Sequence, residues 1–191
     1  MRPARRDKAA ITAILERLPD FEGRPIEVSF LPFLHARRGK LNSGEDQPGQ
    51  PVHAASFLRL RRIVLDHALR AAREELTRVV LHELFHFAWV RLGNPGRASY
   101  AALLRREIAA HAKGELGWSA ESRKRGGPAA GKTTPASARV WREYVCESFC
   151  DTGAWLYGGM RRHDEFTLAR RYRDRRAEWF TLHFGTRPIP I

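Results

Sequence analysis

The stretch from Val79 to Trp89 constrains this chain more than any other: Val-Val-Leu-His-Glu-Leu-Phe-His-Phe-Ala-Trp. It contains His-Glu-x-x-His. On an α-helix, residues four apart sit one above the other on the same face. His82 and His86 can therefore give two imidazole nitrogens to one tetrahedral zinc. Glu83 lies about a quarter-turn round from His82, close enough to reach a water beside the metal. Apolar residues flank the motif on nearly every side, and a helix that is apolar all round is buried. Three ionisable groups in such a place need partners, and a metal is a good one. Two satisfied core histidines are the alternative. In a chain with eight His a chance match to this spacing is rare, on the order of a few per cent.

A catalytic zinc takes three protein ligands and keeps one position open, so a third ligand must come from elsewhere. Glu147, in Trp-Arg-Glu-Tyr-Val-Cys-Glu-Ser-Phe-Cys-Asp from Trp141 to Asp151, is the first candidate. Val145, Phe149, Ala154, Trp155 and Leu156 give this segment a helical apolar pattern. Asp151 is one turn beyond Glu147 on the same face, where a carboxylate can hydrogen-bond the outer nitrogen of a ligating histidine. Glu143, Glu107, Glu115, His111 and Asp151 itself stay open as other third ligands.

With His-Glu-x-x-His on one helix and Glu-x-x-x-Asp on a later one, the chain resembles the zincin metallopeptidases of the gluzincin type. The resemblance covers roughly 57–157 and is motif-deep. By position it implies that His82, His86 and Glu147 hold one zinc ion per chain. It makes Glu83 the general base in peptide hydrolysis and Asp151 the partner of a ligating histidine. It also implies that a strand near the metal helix, here around Phe57 to Arg61, offers an edge along which a peptide substrate lies. Ordinary sheet membership is equally compatible with that strand. Zincins add a Tyr, His or Arg that stabilises the oxyanion. Tyr144, Tyr157, His111, His163 and His183 are eligible, and nothing in the sequence selects one.

The rest of the chain places these motifs in an α+β fold. At 191 residues one domain is expected, a short sheet or strand pair packed on a mainly helical body, with the motif on a central buried helix. Residues 7–18 read as an amphipathic helix with Ile11, Ile14, Leu15 and Leu18 on one face. Ile26 to Phe30 alternates like a half-buried strand, and 36–51 reads as a long polar loop. Ser56 to Asp66 reads as a second strand. Helices are expected over 67–91 (with a break near Ala71), 98–116, 138–156 and 164–183, with stop signals at Leu92-Gly93-Asn94-Pro95-Gly96. The segment 119–137 has no apolar period and reads as a loop or lid; 185–191 reads as an extended tail.

A formal Walker A match, Gly126 to Thr133, lies in that loop. A P-loop needs a buried strand before it, and Glu-Ser-Arg-Lys-Arg from Glu121 to Arg125 is no core strand. Cys146 and Cys150, four apart on a predicted helix, read as packing residues, with thiolate ligation beside Glu147 as the alternative. No apolar run reaches the ~18 residues of a membrane span, and the basic N-terminus lacks the apolar core of a secretory signal. A cytoplasmic location is expected.

The formal net charge is +13, which suits an anionic partner such as nucleic acid. The Arg and Lys are nevertheless spread through every segment. The runs Arg59 to Arg62 and Arg170 to Arg176 read as solvated faces or as phosphate grooves. A regulatory or nucleic-acid-associated module with narrow or lost protease activity is therefore the alternative to a peptidase. Glu83 argues against a purely structural zinc, which needs no general base.

Overall fold

The structure, a computed structural model, describes residues 11–12, 14–15, 20–125, 134–185 and 187–191. It is α+β, as expected. In chain order the strands are β1 (Phe21–Glu22), β2 (Glu27–Leu31), β3 (Leu34–Arg37), β4 (Lys40–Ser43), β5 (Gln50–Pro51), β6 (Ala54–Phe57), β7 (Arg62–Asp66) and β8 (Ile189–Pro190). The helices are α1 (Arg73–Arg91), α2 (Gly93–Ala109), α3 (Trp118–Arg125), α4 (Pro135–Tyr157) and α5 (Arg170–Phe184).

The sheet that positions the site has the order β2-β7-β6, with β2 parallel and β6 antiparallel to the central β7. Ile63, Val64 and Leu65 of β7 are all buried, the continuous apolar run of a strand covered on both faces. Ser56 to Asp66 is thus a hairpin and not the single strand its residues suggest. The chain turns through the 3₁₀ segment Leu58–Leu60, and Arg61 takes a left-handed conformation with φ of 51°. No Gly, Asn or Asp stands at that turn to announce it.

The polar stretch 36–51 also holds strands. β3 pairs antiparallel with β4 and β5 in the order β4-β3-β5. Arg38 and Gly39 both have positive φ, 49° and 74°, the two-residue turn that matches strand twist. Glycine supplies the second of these at no steric cost.

Helix α1 is packed on two sides. Leu76, Val80, Leu84 and Phe87 meet Phe30, Ile63 and Leu65 of the sheet in one core cluster. Leu81, Phe85 and Ala88 point into another, with Tyr144, Val145, Phe149 and Ala154 of α4, Tyr100 and Leu104 of α2, and Phe180 of α5. The expected break before α1 is present: Asp66 caps the 3₁₀ turn His67–Ala71 by accepting from the Ala68 amide at 2.8 Å. Where α4 crosses α1, Gly153 admits the Phe85 ring; a Cβ there would lie 2.5 Å from it. Any larger residue would wedge the two helices apart, an overpacking strain typically of about 1–3 kcal/mol.

The boundaries differ from expectation where tertiary contacts decide them. The stop signal after α1 is also the start of α2, five residues earlier than periodicity suggests. Pro95 falls in the first turn, where its missing N–H is not needed. α2 ends at Ala109. Within the expected loop 119–137, α3 is helical, because distant carboxylates satisfy its first amides. Glu165 accepts from Trp118 N at 2.6 Å and Asp151 from Ala120 N at 3.0 Å. α4 starts at Pro135, capped by the reciprocal pair Thr134 and Ser137.

α5 starts at Arg170, later than 164, and the tail pairs: Ile189, buried, aligns in parallel with Phe21. Of the expected helix 7–18, residues 11–12 and 14–15 are described and helical, with Ile11 and Ile14 buried and Leu15 exposed; its other residues lie outside the described set. The Walker A match lies outside the described residues too, and what precedes it is helix α3, not a strand. No helix among the described residues is long and apolar enough to cross a membrane.

Candidate metal centre

α1 presents His82 and His86 on one face, their ring centroids 4.9 Å apart. α4, lying across α1, brings Glu147 to the same place. One donor atom from each of His82, His86 and Glu147 falls within 4.8 Å of the others. His82 Nε2 and Glu147 Oε2 are 3.3 Å apart. Two donors bound at zinc's usual distance, at a tetrahedral angle, are separated by about 3.3 Å. Two imidazoles and a carboxylate are also the donor types zinc takes in hydrolytic sites. The residues fit the ion.

The orientation of His82 is fixed from behind. Its Nδ1 lies 2.7 Å from Asp151 Oδ1, leaving Nε2 for the Glu147 side. Asp151 is almost fully buried, and its second oxygen accepts the Ala120 amide of α3. Gly117 packs against it so closely that a Cβ would sit 2.2–2.4 Å from the carboxyl atoms. Glu147 is held in turn by Arg123 of α3, whose Nη2 is 3.3 Å from Oε1. His86 differs from His82: its Nδ1 faces two sulfurs, Cys150 Sγ at 3.4 Å and Cys146 Sγ at 3.6 Å.

These contacts polarise the site. Burial pushes the Glu147 carboxyl up, but the hydrogen bond from His82 and the charges of His86, His82 and Arg123 hold it down at about 2. Burial favours neutral His82, yet the charge and hydrogen bond of Asp151, joined by Glu147, raise it well above its usual value. A cation bound here would replace a proton, and its binding would weaken as pH falls. A hydrogen bond from Cys150, aided by His86, lowers the Cys146 thiol to about 6 against the effect of burial. Burial and the neighbouring Cys146 push Cys150 up.

Glu83 is also buried, facing a cleft of about 370 Å³ that includes His82, Ala54, Arg78, Trp118 and Glu165 in its walls. Ser56 of β6 donates to Glu83 Oε2 at 2.5 Å and lies 3.2 Å from its main-chain oxygen. The cleft reaches the donor cluster through His82 and Glu83; His86 and Glu147 are not part of its walls.

The other third-ligand candidates are engaged elsewhere. Glu143 pairs with Arg139 at 2.7 Å on the surface. Glu107 and Glu115 are buried around the fully buried Arg176, at 2.6 and 2.8 Å. Lys124 and Tyr144 complete the shell of Glu115. His111 is exposed, in a positive-φ turn after α2. Asp151 stands behind His82. Only Glu147 among these carboxylates reaches both histidines.

The oxyanion candidates fare differently from what their residue types suggest. Tyr144 is spent on Glu115, and Tyr157 stacks on Phe85 at 5.7 Å. His183 stacks on Trp179 at 3.7 Å, and His163 pairs with Glu75 at 3.2 Å. None of them, nor His111, lines the cleft, which instead presents Arg78 and His53. Arg78 is itself tied to Glu75 and Glu165. Ser56, Arg123, Arg78, His53 and Trp118 carry no motif that singles them out in the sequence; only the folding of β6 and α3 against α1 and α4 assembles them. No protein-family model, curated protein or solved structure matches this chain, so its chemistry is read from these contacts.

Proposed function

We propose that the chain is a zinc-dependent peptidase, with His82, His86 and Glu147 as ligands of one zinc per chain and Glu83 as general base. The observation that carries this reading is the 3.3 Å approach of His82 Nε2 to Glu147 Oε2, a separation equal to the edge of a zinc tetrahedron, with Glu83 beside it in an open cleft. The resemblance to gluzincin-type zincins adds to it. When bound, zinc supplies a Lewis acid that polarises a carbonyl and acidifies water near neutral pH.

The protein's own groups supply the rest. Ser56 occupies Oε2 of Glu83, which leaves Oε1 to take a proton from the attacking water. Glu83 then delivers that proton to the leaving amine. β6 is an edge strand of its sheet and runs beside the cleft, so an extended peptide can add to it by main-chain hydrogen bonds. Trp118, 67% exposed at the cleft wall, offers an apolar surface to a substrate side chain. Two free thiols suit a reducing compartment, in keeping with a cytoplasmic place of action.

The test replaces Glu83 with Gln, keeping shape and removing the base. Glu83→Gln retains zinc and folds normally but loses about 10²–10⁴-fold in turnover of an unfolded protein or peptide library. Undiminished cleavage in that variant overturns the role of Glu83. A wild type that cleaves nothing overturns the peptidase reading.

One observation favours a second reading, an anion-binding module. Arg24, Arg59, Arg61 and Arg91 line one open cavity of about 590 Å³ at the end of the β6–β7 turn. The +13 charge reinforces its field. Binding of generic DNA that weakens steeply with salt and depends on Arg59 and Arg91 supports this reading.

A further inference from the structure

The two thiols on α4 invite more than a packing role. Cys146 and Cys150 are one helical turn apart, and with His86 they form a second cluster whose donor atoms lie within 4.8 Å of one another. The sulfurs approach His86 Nδ1 at 3.6 and 3.4 Å. A zinc-like ion with a sulfur at about 2.3 Å and a nitrogen at about 2.05 Å, at a tetrahedral angle, separates them by about 3.6 Å. Both distances fall close to that edge. Cys150 also hydrogen-bonds Cys146, so the two sulfurs and the nitrogen converge on one another. Cys150 is fully buried, and both cysteines are free.

We propose that His86, Cys146 and Cys150 form a thiol-rich position for a thiolate-seeking divalent cation of the Zn²⁺ or Cd²⁺ class, distinct from the His82–His86–Glu147 position but sharing His86. Thiolates select soft ions over hard ones, whereas a carboxylate leans the other way. The face of α4 toward α1 thus offers two interleaved donor sets that share His86, an oxygen–nitrogen set and a sulfur–nitrogen set. Binding forms two S–metal bonds and one N–metal bond, and the two thiol protons leave to solvent. No electron is transferred. The proposal stands on the sulfur and nitrogen positions and does not depend on peptidase activity.

The probe is Cd²⁺ titrated into the full-length, chelator-treated chain. Binding is read by the ultraviolet thiolate-to-cadmium charge-transfer band, whose intensity counts the thiolates bound, and by protection of the half-buried Cys146 from iodoacetamide. The wild type is expected to give a saturable band of two thiolates and protection of Cys146. His82→Ala and Glu147→Ala keep the band. Cys146→Ser and Cys150→Ser each weaken it sharply, with far-ultraviolet circular dichroism confirming the fold. His86→Ala lowers Cd²⁺ affinity at least about tenfold, the least expected from losing a directly bonded partner. Absence of a thiolate band in the wild type overturns the proposal, and so does a band with the intensity of one thiolate alone. The band intensity needs no variant, so a misfolded serine variant does not rescue or sink the result. Loss of zinc or activity in His82→Ala bears on the peptidase reading alone.

Discussion

Ser56 on β6 and Glu83 on α1 are joined by a 2.5 Å hydrogen bond from the hydroxyl to Oε2 of the carboxylate. The bond ties the edge strand to the residue proposed to move the proton. A hydrogen bond to a charged group is worth about 1.5–3 kcal/mol, and without this one the carboxylate is free to swing in its cleft. Ser56→Ala should leave zinc content unchanged and lower kcat by roughly tenfold or more, with KM little altered. Steady-state kinetics beside metal analysis checks it; an unchanged kcat means the hydroxyl does not position Glu83.

Gly117 lies outside both motifs, yet it controls one of them. A methyl group there would overlap the Asp151 carboxyl, which must then leave Nδ1 of His82. Gly117→Ala should therefore weaken zinc affinity by roughly 10–100-fold, the loss typical of a histidine deprived of its supporting carboxylate. Asp151→Asn should behave in the same direction. Competition against a chelating dye measures both, and unchanged affinity in Gly117→Ala contradicts the role given to Asp151.

How much of this could be read from the chain depended on whether a contact is local. The His82–Glu83–His86 geometry is fixed by helical spacing, so the motif announced it. The helical pattern around Val145 and Phe149 put Glu147 and Asp151 on one face correctly. Setting Glu107 and Glu115 aside needed Arg176, which claims those carboxylates from 69 and 61 residues away, whereas the pairing of Glu143 with Arg139 is local, four residues apart on one helix. Helix α3 was invisible for the same reason: the acceptors for its first amides, Asp151 and Glu165, come from distant segments. The hairpin at Arg61 turns without a turn residue. The run Arg170 to Arg176 looks uniformly solvated, and only packing shows that Arg176 is fully buried.

That arginine is the centre of a buried ionic network, holding Glu107 and Glu115. Removing one partner of a buried pair costs about 3–5 kcal/mol, because the remaining charge is stranded. Arg176→Met should destabilise the fold by about that amount near pH 7, measured by urea unfolding. Burial pushes Glu115 up, but Arg176, Lys124 and Tyr144 outweigh it and hold its carboxyl below its usual value. Its contribution is therefore full above the ordinary carboxylate range and is lost as pH falls through the lowered folded value. Glu115→Gln should flatten the acid limb of the stability profile. An unchanged acid limb contradicts the assignment.

The central claim is that His82, His86 and Glu147 hold zinc, and metal content tests it most directly. The measurement is made with Cys146→Ser and Cys150→Ser in place, so that sulfur ligation contributes nothing. Each purified variant is dialysed against zinc and then buffer, and zinc per chain is read by mass spectrometry. The background protein and its Glu143→Ala derivative should each retain one zinc per chain, whereas His82→Ala, His86→Ala and Glu147→Ala should retain almost none. Full occupancy in His86→Ala, or loss in Glu143→Ala with retention in Glu147→Ala, would contradict the account.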